Sequence, residues 1–225
     1  RRCNNITMDN ISAIAVTVGP GLNGSLLVGI ETAKTIAYII DKPIIPINHI
    51  FAHIYANWLD NPVPPTFPAI ALVVSGGHTE LFLMKSHDNI KWLGGPRDDA
   101  AGEAFDKTAR LLGLGFPGGP AVAAAAAKFQ ISQPKADRPL AENIKNQIEI
   151  RLPRPMMNSR DYDFSFSGLK TAVLREFNKL KSLNKLNNEV ISLLAYEIQE
   201  SITDVLVKKT LVAANKYKVR SILLG

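Results

Sequence analysis

His49 and His53 stand four residues apart in the run Asn48-His49-Ile50-Phe51-Ala52-His53. On a helix this spacing places both imidazoles on one face, close enough to chelate a single metal ion. The bland alternative is two histidines on a solvated helix surface. The run is not the HExxH of a zinc peptidase, because Ile50 occupies the place of the glutamate base. Asp60 and His87 lie at no evident spacing for a third ligand. A second feature is Val73-Val74-Ser75-Gly76-Gly77, an apolar run ending in a glycine turn. Consecutive amides in such a turn can bind an anion, with the Ser75 hydroxyl as an added donor. The same residues also make a plain β-hairpin. His78 follows directly and offers either a general base or a structural hydrogen bond.

The third feature is the stretch 98–119, DDAAGEAFDKTARLLGLGFPGG. Asp98 and Asp99 stand where a helix N-cap belongs. Ala104, Thr108, Leu111 and Leu112 follow at helical spacing. Asp106, three residues after Glu103, is a carboxylate either solvated, paired with Lys107 or Arg110, or available to a ligand. Gly113-Leu114-Gly115 and Pro117-Gly118-Gly119 let a backbone approach something closely. Two glycine turns and a histidine pair point to a nucleotide or phosphoanhydride site with a metal nearby. Gly19-Pro20-Gly21 could cradle a phosphate too, but no GK[ST] follows, and a strand–helix turn is the simpler reading.

These residues need elements to position them. Residues 11–18 read as a short buried strand. A helix follows with Leu26, Gly29, Ile30, Ala33, Ile36, Ala37 and Ile40 on one face. Residues 44–47 are expected as a second strand, with Pro46 indicating an edge or a strand end. The histidine helix covers about 50–59, and the stiff Asn61-Pro62-Val63-Pro64-Pro65 marks a domain boundary. Strands are expected at 69–74, 79–85 and 90–93, then the helix beginning at Asp98. Residues 121–128 are an alanine-rich helix, 165–177 a helix opening at Ser167-Gly168, and 189–217 a long helix. The long helix carries Ile191, Leu194, Ala195, Ile198, Ile202 and Val205 on one face, with Asp204 and Lys208 as an i,i+4 pair opposite. Residues 219–224 form a last strand. Two strand–helix–strand–helix blocks about a proline linker give an α/β protein of two similar lobes.

Bulk composition narrows the function classes. With 46% hydrophobic and 20% charged residues in 225, the chain is of globular type. It has no apolar run long enough to span a membrane, and its first residues do not show the basic, apolar, small-residue pattern expected of a signal. Its single cysteine, Cys3, allows no intramolecular disulfide and fits a reducing compartment, so a cytoplasmic location is expected. The net charge of +6 suits either a solvated surface or contact with an RNA backbone. At 7% aromatic residues a single-strand stacking platform is not indicated. The chain opens on Arg1-Arg2 and stops at Gly225 after an apolar strand, which is the expectation for an internal fragment.

Five segments carry a resemblance to a known family: TVGPGLNGSLLVGIETAKTIAY (17–38), NHIFAH (48–53), LVVSGGHTELFL (72–83), DDAAGEAFDKTARLLGLGFPGGP (98–120) and RPMMNSRDYDFSFSGLKTAVLR (154–175). In this order they resemble the tRNA adenosine threonylcarbamoyltransferases, the bacterial TsaD branch formerly described as O-sialoglycoprotein endopeptidases. The resemblance implies the two-lobe α/β architecture of actin, heat-shock ATPases and sugar kinases, built on RNase H-like repeats. Residues 1–60 would belong to the first lobe. Residues 61–225 would be the second lobe, incomplete at its C-terminus and carrying a mostly helical insertion at about 120–187. Ligand would sit in the cleft between lobes.

The implied activity is tRNA modification: transfer of a threonylcarbamoyl group from threonylcarbamoyl-AMP to the N6 amine of adenosine 37 in tRNAs reading ANN codons. His49 and His53 would hold one divalent metal ion, iron or zinc, with an aspartate beyond Gly225 as third ligand. Val73, where archaeal relatives carry a tyrosine, implies no fourth. Val73, Val74, Ser75, Gly76 and Gly77 would surround the phosphate and acyl groups, Asp106 would bind the ribose, and Gly119 would lie against the nucleoside. Ala123 stands where many relatives have an acidic residue, which removes one expected ribose contact. No covalent nucleophile is implied and no catalytic residue is assigned. The implied partners are tRNA and a complex with a paralogous TsaB-like scaffold subunit and a small TsaE-like ATPase, with no membrane. A fragment of such an enzyme would be inactive alone. The rival readings are a metal-dependent peptidase, a small-molecule kinase of the same superfamily, and a non-catalytic scaffold paralogue.

Overall fold

A computed structural model describes residues 7–59, 61–132 and 150–225, with the backbone alone at 130–132. Cys3, Asp60 and part of the stretch expected as an insertion lie outside the described residues. The chain divides into two compact units, one ending at Pro64 and the other running from Pro65 to Leu224.

The first unit contains β1 (Ile14–Gly19), α1 (Asn23–Ile39), β2 (Ile44–Asn48) and α2 (His49–Tyr55), with a 3-10 turn at Ala56–Trp58. β1 and β2 pair in parallel, with Ile14 opposite Ile44 and Thr17 opposite Ile47. The α1 face is the one its spacing predicts: Ala33 and Ala37 are buried, Leu26, Ile30, Ile36 and Ile40 are half-buried, and only Gly29 is exposed. The expectation of a buried first strand is corrected. The strand starts at Ile14 rather than residue 11, and none of its residues is fully buried. In the described residues its sheet has two strands, which is too narrow to bury both faces. Pro46 pairs across from Val16 and, among the described residues, has no strand on its other side, so its missing N–H breaks no ladder there.

The second unit contains β3 (Ala69–Val74), β4 (Thr79–Met84), β5 (Ile90–Gly94), α3 (Ala101–Leu111), α4 (Gly118–Ser132), α5 (Ser167–Ser182), α6 (Asn188–Tyr217) and β6 (Ser221–Leu224). Its sheet runs β5-β4-β3-β6, with β6 parallel to β3 and the other pairs antiparallel. The expected strand–helix–strand–helix block is therefore corrected here. Three strands come first as a meander, because the connections between them are too short for a crossover helix. β3 reads as a continuous apolar run since five of its six residues are buried.

Residues 118–129 and 150–187 do not form a body of their own. Val122, Phe129, Ile150, Leu152, Phe164, Phe166, Leu169 and Val173 all join the core built on Ile70, Leu81 and the α6 residues Leu194, Ile198 and Ile202. A bridge between Pro96 and Phe164 ties the loop before α3 to the segment before α5. The expected Asp204–Lys208 pair does not form. Asp204 accepts from Arg154 Nε at 2.9 Å instead, and Arg154 also faces Glu197 at 3.5 Å. Lys209, 2% exposed, is satisfied by Ser159 Oγ at 2.7 Å, the Asp161 carbonyl at 3.1 Å and Asp161 Oδ1 at 3.3 Å. Burial lowers its pKa, and the pairing with Asp161 offsets part of that shift. Among the described residues no helix is long and apolar enough to cross a membrane.

Candidate functional site

In the first unit, α2 is started by Asn48, whose side-chain oxygen accepts from the amides of Ile50 at 2.9 Å and Phe51 at 3.2 Å. Ile50 and Ile54 anchor one face of the helix in the interior. His49 and His53 precede each of them by one residue, so they fall on the neighbouring, more open face. The two Nε2 atoms are 3.2 Å apart, and the rings meet edge to face with centroids at 4.5 Å. Two nitrogens at that separation, each about 2.0–2.1 Å from one ion, subtend an angle near 100° at it. The pair therefore fits a divalent metal as two of its ligands; without a metal, one Nε2–H donates to the other ring. No third His, Cys, Asp or Glu joins them among the described residues. His87, set aside as a ligand on spacing, packs edge to face on Phe67 at 4.8 Å.

In the second unit, the β3–β4 register pairs Val74 with Thr79, leaving Ser75, Gly76, Gly77 and His78 as the turn. The Ser75 amide is spent inside it, donating to the His78 carbonyl at 2.8 Å. The anion-binding set thus narrows to the amides of Gly76 and Gly77 and the Ser75 hydroxyl. A Cβ on Gly76 or Gly77 would meet nothing within 4 Å, so both face open space. Val73 is 1% exposed, so its side chain belongs to the core and it offers a ligand backbone alone; Val74 is half-buried at the strand end. His78 Nδ1 lies 3.4 Å from Glu80 Oε1, which gives the imidazole a carboxylate partner.

Behind the turn stands the N-terminus of α3. Thr79, fully buried, accepts from the Ala101 amide at 2.8 Å. Gly102 is the point of closest approach: a Cβ there would fall 2.4 Å from the Ser75 carbonyl and 2.5 Å from Gly76 Cα. Nothing in the spacing of the sequence singled out Thr79 or Gly102. A glycine inside the first turn of a helix, where it costs helix propensity, was the available signal.

The expected N-cap is corrected. α3 begins at Ala101 with Ala100 as its cap residue and no side-chain capping bond. Asp98 turns instead to α5, 67 residues or more downstream. Its carboxylate accepts from the Ser165 hydroxyl at 2.6 Å, the Ser167 hydroxyl at 2.7 Å, and the amides of Phe166 at 2.8 Å and Ser167 at 3.2 Å. Partial burial disfavours its charge, but the four donors outweigh that and hold its pKa at about 2. Beside it Arg97 bridges Asp161 at 2.8 Å and Asp163 at 2.9 Å. Asp99 pairs with Lys107, which also reaches Glu103 at 3.2 Å.

Asp106, read as solvated, as paired with Lys107 or Arg110, or as a ligand carboxylate, has a different partner. Its Oδ1 accepts from the Gly118 amide at 2.7 Å, at the first residue of α4. Gly118 packs so close that a Cβ would meet Asp106 Cα at 2.5 Å and the Phe105 carbonyl at 2.6 Å. The Pro117-Gly118-Gly119 turn is thus a helix-to-helix joint. Gly118 is the residue with a close neighbour, while a Cβ on Gly119 would meet nothing within 4 Å. Asp106, midway along α3, thus fastens the start of α4, and the glycine turn packs against the N-terminus of α3.

Comparison with known proteins gives a consistent result. A family model described as TsaD, tRNA N6-adenosine threonylcarbamoyltransferase, matches residues 2–225. A protein of Syntrophomonas wolfei with that name is 48% identical over 215 residues, which is 96% of this chain and 58% of that protein. One of Staphylococcus saprophyticus with the same name is 45% identical over 221 residues, 98% of this chain and 58% of its own length. One of Thermomicrobium roseum is 47% identical, over 96% of this chain and 60% of that protein. The chain spans about three fifths of the length of these curated relatives.

Proposed function

Since this chain belongs to the TsaD family of tRNA N6-adenosine threonylcarbamoyltransferases, we propose that the protein modifies tRNA. It transfers the threonylcarbamoyl group of threonylcarbamoyl-AMP to the N6 amine of adenosine 37 in tRNAs reading ANN codons. The observation that carries this reading is the family match across residues 2–225, which includes the histidine pair, the Ser75-Gly76-Gly77 turn and the Asp106–Gly118 joint.

In this reaction the N6 amine attacks the carbamoyl carbon, the carbon–oxygen bond to the phosphate breaks, AMP leaves with the bonding pair, and the proton lost by the amine passes to solvent. Nε2 of His49 and Nε2 of His53 would hold a divalent ion, iron or zinc, their 3.2 Å separation suiting one shared ion. When bound, such an ion would polarise the carbonyl oxygen as a Lewis acid. The amides of Gly76 and Gly77 and the Ser75 hydroxyl would receive the anhydride oxygens, where donors fixed in advance are worth most. Gly102 and Thr79 keep that turn from shifting. Asp106 uses Oδ1 to hold α4. Oδ2 is then the oxygen it would offer to a ribose hydroxyl, with Gly119 leaving space for the nucleoside. Val73 and Val74 set where the turn begins.

The fold reading that accompanies this is the actin, heat-shock ATPase and sugar-kinase architecture. Residues 1–60 would belong to its first lobe and 61–225 to its second, with a mostly helical insertion at about 120–187. The antiparallel meander followed by a parallel β6 supports it for the second lobe. The partners that go with the activity are a TsaB-like paralogous scaffold and a TsaE-like ATPase.

The test is made on the full-length protein. Replacing His49 and His53 together by Ala is expected to remove the bound metal and to lower threonylcarbamoylation of tRNA by at least a hundredfold, with the melting temperature little changed. Full metal occupancy in the double variant, measured by elemental analysis, would remove the histidine pair from the mechanism. An active wild-type peptidase that leaves tRNA unmodified would overturn the function itself.

A further inference from the structure

The charge of the molecule is not spread along it. Residues 150–225 hold thirteen Lys and Arg against seven Asp and Glu, which equals the whole net charge of +6; the preceding residues balance. Most of those carboxylates are engaged with cations. Asp161 pairs with Arg97 and Lys209, Asp163 with Arg97, Glu197 and Asp204 with Arg154, and Glu176 with Lys179. The excess positive charge therefore lies elsewhere in this segment. On α5, Lys170 and Arg175 are exposed, and neither makes an ion pair among the described residues.

Arg175 lies in a groove. α5 contributes Gly168, Thr171, Arg175 and Glu176, a stripe at helical spacing, to an open cavity of about 650 Å³. The facing wall is Arg151, Leu152 and Pro153. That wall is held from behind. Leu152 is 3% exposed, its carbonyl accepts from Arg154 at 2.9 Å, and the Pro153 carbonyl accepts the Ser201 hydroxyl at 2.5 Å. Arg151 and Arg175 thus line one groove from two separate segments of backbone, and Thr171 lines it with them. The one carboxylate in the lining, Glu176, is within 3.4 Å of Lys179. Planar guanidinium groups suit phosphate oxygens, and phosphate contacts position an RNA without reading its bases.

We propose that the groove between α5 and residues 151–153 is a docking surface for the phosphate backbone of RNA, gripped by Arg151 and Arg175 with Thr171 as a hydroxyl donor. It rests on the tRNA-modifying function proposed above and assigns a surface that bears the substrate's backbone. Contacts of this kind hold any tRNA of the right shape, so they contribute affinity and orientation and leave codon-class selection to other residues.

The test uses the full-length protein, an unmodified tRNA reading an ANN codon, and a tRNA that does not. Binding is followed by fluorescence anisotropy from 50 to 250 mM KCl. Arg151→Ser with Arg175→Ser is expected to weaken both tRNAs about tenfold, and to flatten the log–log salt dependence by roughly 1.5 to 2. Thr171→Glu, which places a carboxylate in the groove, is expected to weaken both tRNAs as well. Lys85→Ser with Lys91→Ser, on β4–β5, is expected to change neither affinity nor slope. Affinity and slope unchanged in both groove variants overturns the proposal. So does loss of inorganic phosphate or AMP binding while tRNA binding persists, which would make the groove a small-anion site. The two readings also fail separately. A wild-type protein that binds tRNA through the groove but transfers no threonylcarbamoyl group keeps the groove and ends the proposed activity. Transfer with an unaltered KM for tRNA in the groove variants keeps the activity and ends the groove.

Discussion

Asp98 joins two pieces of chain that no local rule connects. An aspartate just before a helix is expected to cap that helix. Here it caps the helix that begins at Ser167, and the hydroxyls of Ser165 and Ser167 complete its shell. Its pH behaviour follows. The carboxyl is held at about 2 in the fold against an ordinary 3.8. A depressed carboxyl contributes stability that is present in full above the unfolded value and is lost as pH falls through the folded one. Asp98→Asn keeps one acceptor but loses the charge, and is expected to cost about 1 kcal/mol at pH 7. Urea unfolding at a series of pH values should show the gap between wild type and variant closing from about pH 4 towards pH 2. A gap that stays constant down to pH 2.5 would mean the four donors do not favour the charged form. Asp106 teaches the same lesson: its partner is an amide twelve residues on, at the start of the next helix, beyond the one-turn neighbours that spacing suggests.

At the scale of elements, what was legible is what repeats. β3 is a six-residue apolar run, α1 shows its face at three- and four-residue steps, and α6 carries the same face over 30 residues. The spacing of His49 and His53 could be read because a helix turns the same way wherever it lies. What escaped was set by tertiary partners. Arg154 draws Asp204 away from Lys208, and β1 is left half-exposed by a sheet that has two strands among the described residues. Thr79 belongs to this second kind. Its hydroxyl is the one partner of a buried helix amide, so it joins the glycine turn to α3 more firmly than any feature of either segment alone. Thr79→Val fills the same space without the acceptor and leaves the Ala101 N–H unsatisfied, at a cost of about 1–3 kcal/mol. Thr79→Ser should recover most of the loss. Equal stabilities of the Val and Ser variants in urea would show that the hydroxyl is not what fastens the turn.

At the scale of the molecule the two units differ in how they are held together. The second owns one continuous core, from Ile70 on β3 through Phe164 and Phe166 to Ala213 on α6. In the first, the buried apolar residues among those described are Ala33, Ala37, Ile50 and Ile54. Large apolar side chains there stand open instead: Leu22 is 81% exposed, Val28 71%, Tyr38 90% and Ile39 74%. Burial contributes roughly 25 cal/mol per Å² of apolar surface, so a unit that buries two alanines and two isoleucines has little to set against the entropy of ordering its chain. Local opening should then be cheap in one unit and costly in the other. Native-state hydrogen exchange on the 225-residue chain is expected to show amides of β1 and α1 exchanging at least a hundredfold faster, relative to their intrinsic rates, than those of β3, β4 and the middle of α6. The slowest amides should lie at Ile70, Leu81 and around Ile198, where strand, hairpin and helix share the same core. Similar protection across β1 and β3 would show that the first unit draws stability from something other than its own apolar interior, and that the two units unfold as one.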